Sequence, residues 1–213
     1  MNYNHLLANF QFDKSSLLQY GFAEVKADTL EYRVDLPNSL YVKMRIAPGK
    51  LDVEVYDAIF NDRYQPFVSG HGGAAIKSEV REIVEKILAA CGQKVDAKAQ
   101  IVEFMRSRFG TEPEFPWKEY PTDCTFKTAI SKKWYAIIMN ISAKSLGQTG
   151  EDNIDIINIK LPPEQILQLH DNARYFPAYH MNKKYWLTVV LNANTDFDTL
   201  KELIVTSHGL VEK

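Results

Sequence analysis

The sequence predicts an α+β protein in which helices pack on antiparallel sheets, organised as two small subdomains. Apolar and polar residues alternate with a period of two in both halves of the chain, which is typical of half-buried strands. Apolar residues at helical spacing follow the strands, and short connections rich in proline, glycine or polar residues favour hairpins. With 213 residues, of which 46% are hydrophobic, the chain has enough apolar material for one or two cores.

The first half contains a meander of strands. In the third of them, Leu40, Val42, Met44 and Ile46 share one face, and the residues between them share the other. Short polar or turn-forming segments separate the strands, so we expect antiparallel hairpins. The predicted strands are 22–27, 29–36, 39–46 and 50–57.

Helices are predicted on both sides of this meander. Residues 3–20 favour a helical lead-in, and apolar residues at helical spacing predict a helix over 76–91 that Gly92 ends. A short polar boundary follows the glycine. We therefore expect an N-terminal subdomain over 1–93 and a C-terminal subdomain over 94–213.

The second half has the order helix, hairpin, strand, helix, strand, helix. Proline is tolerated at the first position of a helix and aspartate is a preferred N-cap, so Pro162 and Asp196 mark the starts of two helices. The hairpin is expected to turn at Ser131 and Lys132. The predicted elements are a helix over 98–109, strands over 124–130, 133–142 and 154–161, a helix over 162–169, a strand over 185–192 and a helix over 197–208.

The charge balance restricts the kinds of partner that the chain can bind. It carries 25 Lys and Arg residues against 27 Asp and Glu residues, for a formal net charge of −2. Residues 1–93 hold 10 basic and 12 acidic residues (10 − 12 = −2), and residues 94–213 hold 15 of each (15 − 15 = 0). Nucleic-acid-binding domains usually carry a basic excess, so any affinity for DNA must come from local clustering.

Hydropathy and cysteine usage predict a cytoplasmic protein with no membrane span. The longest apolar runs, 134–139 and 187–191, are far shorter than the roughly 18 residues that a span needs. The N-terminus lacks the pattern of a secretory signal. Cys91 and Cys124 belong to no disulfide or zinc motif, so both are expected to stay reduced.

The segment 175–186, YFPAYHMNKKYW, combines several aromatic residues with a histidine and two lysines within twelve residues. Lysine supplies a mobile charge for phosphate oxygens and an aromatic face accepts any base, so this mixture is typical of sequence-tolerant nucleic-acid binding. The predicted hairpin adds further basic residues. The candidate nucleic-acid-binding residues are Lys132, Lys133, Lys160, Arg174, Tyr179, His180, Lys183 and Lys184.

The aromatic residues near these lysines have two interpretations. Trp134, Tyr175, Tyr179 and Trp186 can stack on bases or flank a binding groove. Alternate residues of a strand must point inward, however, and large aromatic side chains supply much of a core. We therefore expect both tryptophans, Trp134 and Trp186, to lie in the core.

The histidines of the second half do not predict a metal site or another cofactor. His170, His180 and His208 show none of the short spacings that metal-binding pairs use. His180 is expected instead to hydrogen-bond the backbone or a carboxylate within its loop. Ser207 and His208 are neighbours on a predicted helix, where adjacent side chains point about 100° apart, so they form a poor nucleophile and base. We expect that the protein is not an enzyme.

Two polar stretches are interpreted as ordinary surface segments without a binding role. The run GHGG at 70–73 precedes a helix and could cradle an anion, but it matches no phosphate-binding motif, and a flexible turn is favoured. Glu151 and Asp152 form an acidic pair in a polar loop and are expected to be solvated.

Several short motifs between about residue 98 and the end of the chain resemble the YjbR/MmcQ-like family of small bacterial proteins. These motifs are Phe115-Pro116-Trp117, Lys132-Lys133-Trp134-Tyr135, Ile159-Lys160-Leu161-Pro162, Arg174-Tyr175-Phe176-Pro177, the run from Tyr179 to Lys184, Trp186 and Ser207. The resemblance implies a compact α+β domain, likened to a double-wing DNA-binding arrangement, and a DNA-binding role. The first half resembles the extra N-terminal domain of longer members.

Two hypotheses follow for the function. The first is nucleic-acid binding, with DNA as the partner of the basic and aromatic residues of the second half. The second is a module that binds a protein or a small molecule without binding nucleic acid, which the near-neutral charge favours.

Overall fold

A computed structural model describes residues 3–69, 73–148 and 153–212. The chain forms two compact units, Met1–Val95 and Asp96–Lys213. Both units combine helices with antiparallel sheets, so the predicted α+β class is confirmed. Among the described residues, no helix is both long and apolar enough to cross a membrane.

The N-terminal unit is built on a four-stranded antiparallel meander, in the order β2-β3-β4-β5, and a small two-stranded sheet of β1 and β6. The predicted strands and the long helix after them are confirmed. The elements are α1 (Asn4–Leu7), β1 (Phe10–Phe12), α2 (Lys14–Tyr20), β2 (Ala23–Lys26), β3 (Thr29–Leu36), β4 (Leu40–Ala47), β5 (Lys50–Asp57), α3 (Gln65–Ser69), α4 (Ala74–Cys91) and β6 (Gly92–Lys94).

The core of this unit lies between the meander and α4. Val42 and Met44 of β4 are fully buried, as are Val80 and Val84 of α4, and all four belong to one apolar cluster. The alternation along β4 therefore points the predicted face inward. On the other face Tyr41 is also buried, because it stacks on a neighbouring tyrosine and an arginine guanidinium covers its ring.

The predicted helical lead-in over 3–20 is wrong in one respect. Strand β1 interrupts it and pairs with β6, with Phe12 opposite Gly92. A Cβ atom on Gly92 would come within 2.6 Å of the Phe12 ring, so this glycine permits a close approach. Local periodicity cannot reveal a strand whose partner lies 80 residues further along the chain (92 − 12 = 80).

The C-terminal unit contains a five-stranded antiparallel sheet in the order β10-β11-β9-β8-β7. Every predicted element is present, and the structure adds a short edge strand, β10, within the segment that the sequence indicated as a loop. The elements are α5 (Ala97–Phe109), β7 (Cys124–Lys127), β8 (Trp134–Ser142), a 3₁₀ turn (Ala143–Leu146), β9 (Asn153–Lys160), α6 (Pro163–Leu169), β10 (Tyr175–Pro177), β11 (Trp186–Leu191) and α7 (Phe197–Val211).

The two faces of this sheet are covered differently. Helix α7 lies against β8 and β9 and packs with α5. The register pairs Ile137 with Asn158, and Asn158 with Thr188, so these three side chains share one face. We call it the loop face, because residues from irregular segments, including Trp117 and Ala178, pack against Ile137 there.

A β-bulge at the start of β8 corrects one prediction. Phe126 pairs with Ala136 and Lys127 with Trp134, so Tyr135 has no partner in the β7 ladder. The extra residue shifts the alternation by one position: Tyr135 is fully buried, whereas Trp134 is 36% exposed. The expectation that Trp134 lies in the core is therefore wrong, while Trp186, outside the bulge, is buried as predicted.

The buried hydroxyl of Ser207 joins α7 to the sheet. Its Oγ donates to the carbonyl oxygen of Tyr135 at 2.5 Å and accepts from the backbone N–H of Lys160 at 2.8 Å. These two backbone groups lie beside the bulge, where the β8–β9 ladder ends. Ser207 is fully buried. Buried backbone groups need hydrogen-bond partners, and its hydroxyl supplies them where the strand ladder no longer does.

We expect Ser207→Ala to lower the free energy of unfolding by about 1–3 kcal/mol, because it leaves two buried backbone groups without partners. Chemical denaturation of the purified variant measures this. Ser107→Ala on the exposed surface of α5 is the matched control, because it removes a serine hydroxyl that bonds only its own helix. The control should change stability by less than about 0.5 kcal/mol. Equal effects of the two substitutions would contradict the bridging role.

Candidate functional site

Four of the predicted lysines gather at one end of the five-stranded sheet. Strands β8 and β11 both run antiparallel to β9, so both begin at the end where β9 finishes. Lys160 is the last residue of β9, Lys132 and Lys133 directly precede β8, and Lys184 lies two residues before β11. We call these four residues the lysine end.

The lysine end has no direct ion-pair partners among the described residues. None of its four ammonium groups forms an ion pair within the described part of the chain. Elsewhere in this unit basic residues are paired: Lys127 lies 2.5 Å from Glu114, and Arg106 lies 2.8 Å from Glu112. The unit can therefore hold equal numbers of basic and acidic residues while these four lysines stay without an ion-pair partner.

Aromatic rings accompany these lysines, and two of them are exposed. The Nζ atom of Lys160 lies 5.4 Å from the Trp186 ring centroid, and that of Lys184 lies 5.2 Å from the Tyr185 centroid. Trp134 is 36% exposed and Tyr185 is 44% exposed. Trp117 contacts Trp134 with a centroid distance of 6.2 Å.

The segment beside Trp117 adds two more exposed aromatic residues to this region. Phe115 and Tyr120 lie within three residues of Trp117, and both are more than half exposed. Lys118 and Glu119, which are adjacent and exposed, contribute no net charge. This region therefore combines four ammonium groups with exposed aromatic surface.

Residues 178–185, which we call the covering loop, are held on the loop face by buried polar groups. The Thr188 hydroxyl donates to Asn158 Oδ1 and accepts from the backbone N–H of Tyr179 at 2.9 Å. Asn158 Nδ2 donates to the carbonyl oxygen of Tyr179 at 2.9 Å. Both Asn158 and Thr188 are fully buried, so these bonds fix the position of Tyr179.

The other candidate residues of the covering loop line an open cleft of about 400 Å³. Tyr179, His180 and Lys183 contribute to it from the covering loop, and Ser145 and Asn172 contribute from two other segments. The structure thus divides the predicted surface in two: four lysines at the end of the sheet, and three residues around a cleft.

Arg174 belongs to neither group. Its Nε atom lies 3.3 Å from Asp171 Oδ2, and its guanidinium lies 5.6 Å from the Tyr175 ring centroid. It stands at the start of β10, the end of that strand furthest from Trp186. Its charge is therefore already partnered.

Asp171 organises the turn before β10. Its Oδ1 atom accepts from the backbone N–H groups of Ala173, Arg174 and Tyr175 at 2.8–2.9 Å. Partial burial raises the pKa of the Asp171 carboxyl, but these hydrogen bonds and the Arg174 side chain outweigh it and hold the pKa well below its usual range.

The three histidines of the C-terminal unit have separate surroundings. His208 stacks on Phe109 with a centroid distance of 4.1 Å, and burial lowers its pKa. His170 bonds Asn172, 2.9 Å away. His180 contacts the Tyr179 ring, and its predicted hydrogen bond is absent from the described contacts. In the described ranges no group of three or more His, Cys, Asp or Glu is placed to hold a metal ion.

Two sequence candidates lie outside the described residues. Positions 70–72 of the GHGG run and the Glu151-Asp152 pair belong to this group. Sequence reasoning also missed three residues that shape the site: Ser145 and Asn172, which line the cleft, and Asp171. A turn signal in the run HDNA at 170–173 was available for Asp171, because aspartate commonly accepts from backbone groups two or three residues ahead. Ser145 carries no comparable signal.

Thr188→Val is expected to lower the free energy of unfolding by about 1–3 kcal/mol, because the Tyr179 N–H and Asn158 Oδ1 lose their partner while side-chain volume is kept. Hydrogen exchange at the Tyr179 amide should also become faster, which NMR measures. Thr206→Val on α7, where the hydroxyl bonds only its own helix, is the matched control. If the Tyr179 amide exchanged at the wild-type rate, the anchoring role would be wrong.

Replacing Asp171 tests the turn before β10. Because its folded pKa is lowered, the ionised carboxylate stabilises the fold above its ordinary pKa of about 4, and that contribution is lost as the pH falls through the folded pKa. Asp171→Asn should therefore cost stability at pH 7, with a difference from wild type that shrinks on acidification below about pH 4. Denaturation at several pH values measures this, with Asp198→Asn as an exposed control. A difference independent of pH would contradict the prediction.

About half of the chain is similar to known proteins. The YjbR family model matches residues 106–210. The chain is 34% identical over 115 residues to the uncharacterised protein YyaQ of Bacillus subtilis, covering 98% of that protein and 54% of this chain. A crystal structure of a protein from Pseudomonas syringae is similar, with 33% identity, a TM-score of 0.52, and coverage of 97% of that chain and 54% of this one. The chain therefore belongs to the YjbR family, and the family match lies within its C-terminal unit.

Proposed function

We propose that the protein binds single-stranded nucleic acid, DNA in the first instance, through the lysine end of its C-terminal unit. The observation that carries this proposal is the gathering of four lysines without carboxylate partners at one end of the sheet. Ammonium groups in this arrangement favour phosphate oxygens, because they release counterions from the nucleic acid on contact.

The exposed aromatic residues favour single strands over duplexes. Trp134 and Tyr185 present part of their rings to solvent beside the lysines, with Phe115 and Tyr120 in the segment that contacts Trp134. Unpaired bases can stack on such rings, whereas bases within a duplex are already stacked on each other. Binding therefore combines phosphate contacts with base stacking.

The same residue types favour binding without strong sequence preference. Lysine contacts phosphate as a point charge, and every base offers a face for stacking. Arginine, the residue most often used to recognise guanine, is absent from the lysine end, and Arg174 is paired with Asp171. The proposal is for binding alone, with no reaction catalysed.

Fluorescence polarisation with a labelled oligothymidylate of roughly 12 nucleotides tests this proposal. Four phosphate contacts to a single strand predict that log K falls with log salt concentration with a slope of about −3. The triple variant Lys133→Gln/Lys160→Gln/Lys184→Gln should reduce the slope to about −0.7 and weaken binding at least about tenfold at low salt. A duplex of equal length should bind more weakly than the single strand.

Lys201→Gln is the matched control, because it removes one lysine charge on α7, where Lys201 pairs with Asp198 at 3.7 Å. It should leave both the affinity and the slope unchanged. Absence of binding at low salt, or an unchanged slope in the triple variant, would refute the proposal.

A further inference from the structure

The cleft beside the covering loop has the features of a second binding site. Its volume of about 400 Å³ lies within the range of small-molecule pockets. It is formed by three segments that are distant in sequence: the 3₁₀ turn at Ser145, the turn at Asn172, and the covering loop with His180 and Lys183. None of these residues belongs to the lysine end.

Polar groups without partners converge on this cleft. The Ser145 hydroxyl, the His180 imidazole and the Lys183 ammonium group make no hydrogen bond or ion pair among the described residues. Asn172 uses Oδ1 to bond His170 at 2.9 Å, which leaves its Nδ2 group available as a donor. The Ser145 hydroxyl, the His180 imidazole and the Asn172 Nδ2 group can each donate a hydrogen bond in every protonation state. Lys183 adds a full positive charge.

The described lining of the cleft carries a positive charge, from Lys183. None of its described lining residues is acidic. The nearest acidic neighbour in sequence, Asp171, is directed at three backbone N–H groups and at Arg174. An anionic group entering the cleft would therefore meet a lysine and hydrogen-bond donors without facing a free carboxylate from the described lining.

The remaining lining is apolar and well supported. Phe176 and Ala178 are buried, and Leu146, Pro177 and Tyr179 complete the wall. Phe176 and Tyr179 pack into the same apolar cluster as Val190. The backbone of Tyr179 is tied to the sheet, so the wall is formed before any ligand arrives.

We propose that this cleft binds a small organic anion with a planar ring, held by Lys183 and the three neighbouring donors at its charged group and by Phe176 and Tyr179 along its ring. A carboxylate and a phosphate monoester share the necessary chemistry, because both present several acceptor oxygens with negative charge. No residue of the lysine end lines the cleft, so occupancy does not require nucleic acid.

NMR titration of the full-length labelled protein with benzoate, phenyl phosphate and benzamide tests this inference. Benzamide matches benzoate in shape but carries no charge. Benzoate or phenyl phosphate should saturably shift the amide signals of Ser145, Asn172, His180 and Lys183, with a dissociation constant of roughly 0.1–1 mM. Whichever of these two ligands has the lower dissociation constant carries the preferred anionic group. Benzamide should bind at least about fivefold more weakly.

Two variants locate the interaction. Lys183→Gln should weaken binding of the anion at least about fivefold, and Lys201→Gln should leave it unchanged. His180→Asn should also weaken binding, and it is preferred to alanine because His180 has a φ of 55°, which asparagine tolerates. Lack of saturable shifts at the cleft residues up to about 10 mM, equal binding of benzamide, or wild-type affinity in Lys183→Gln would overturn the inference.

Discussion

The buried hydrogen bonds between Asn158, Thr188 and the backbone of Tyr179 are the constraint on which both proposed surfaces depend. They hold the covering loop against the loop face of the sheet, and the cost of burying two polar side chains is offset only while all of these bonds are made. Because Tyr179 is fixed, the two lysines that follow it lie at different places. Lys183 lines the cleft, whereas Lys184 lies near the end of the sheet, two residues before β11. Adjacent lysines thereby belong to different sites.

The antiparallel order of the strands brings four lysines of the C-terminal unit to one end of the sheet. Antiparallel pairing brings the end of β9 together with the starts of β8 and β11, and lysines stand at or before each of these positions. Some acidic residues of the unit are engaged elsewhere, as Glu112 is with Arg106 and Asp171 with its turn. A balanced total charge is thus compatible with a local patch that attracts phosphate, since the field near a surface depends on the arrangement of charges.

Much of this fold could be predicted from the sequence, because it rests on local periodicity. The alternation in β4 and the apolar spacing in α4 gave elements that the structure confirms. The failures are long-range. Strand β1 depends on a partner far along the chain, and β10 has only three residues and is defined by pairing with β11. The expectation that Trp134 lies in the core is wrong because a one-residue bulge, which a period-two pattern cannot show, reverses which residues point inward.

The candidate residues were predictable by type, but their grouping was not. Clusters of lysine and aromatic residues indicated a binding surface, while only the sheet order separates Lys160 and Lys184 from His180 and Lys183. The cleft could not be predicted, because Ser145 and Asn172 are ordinary loop residues that tertiary structure brings to the covering loop.

The most direct test that the lysine end and the cleft are two separate binding surfaces is a pair of amide chemical-shift maps of the same labelled protein. One map is recorded with oligothymidylate and the other with benzoate. We expect the oligonucleotide to shift Lys133, Lys160 and Lys184, and benzoate to shift Ser145, Asn172 and His180, with each ligand still binding when the other is present. Maps that coincide, or displacement of one ligand by the other, would show a single surface and contradict the account.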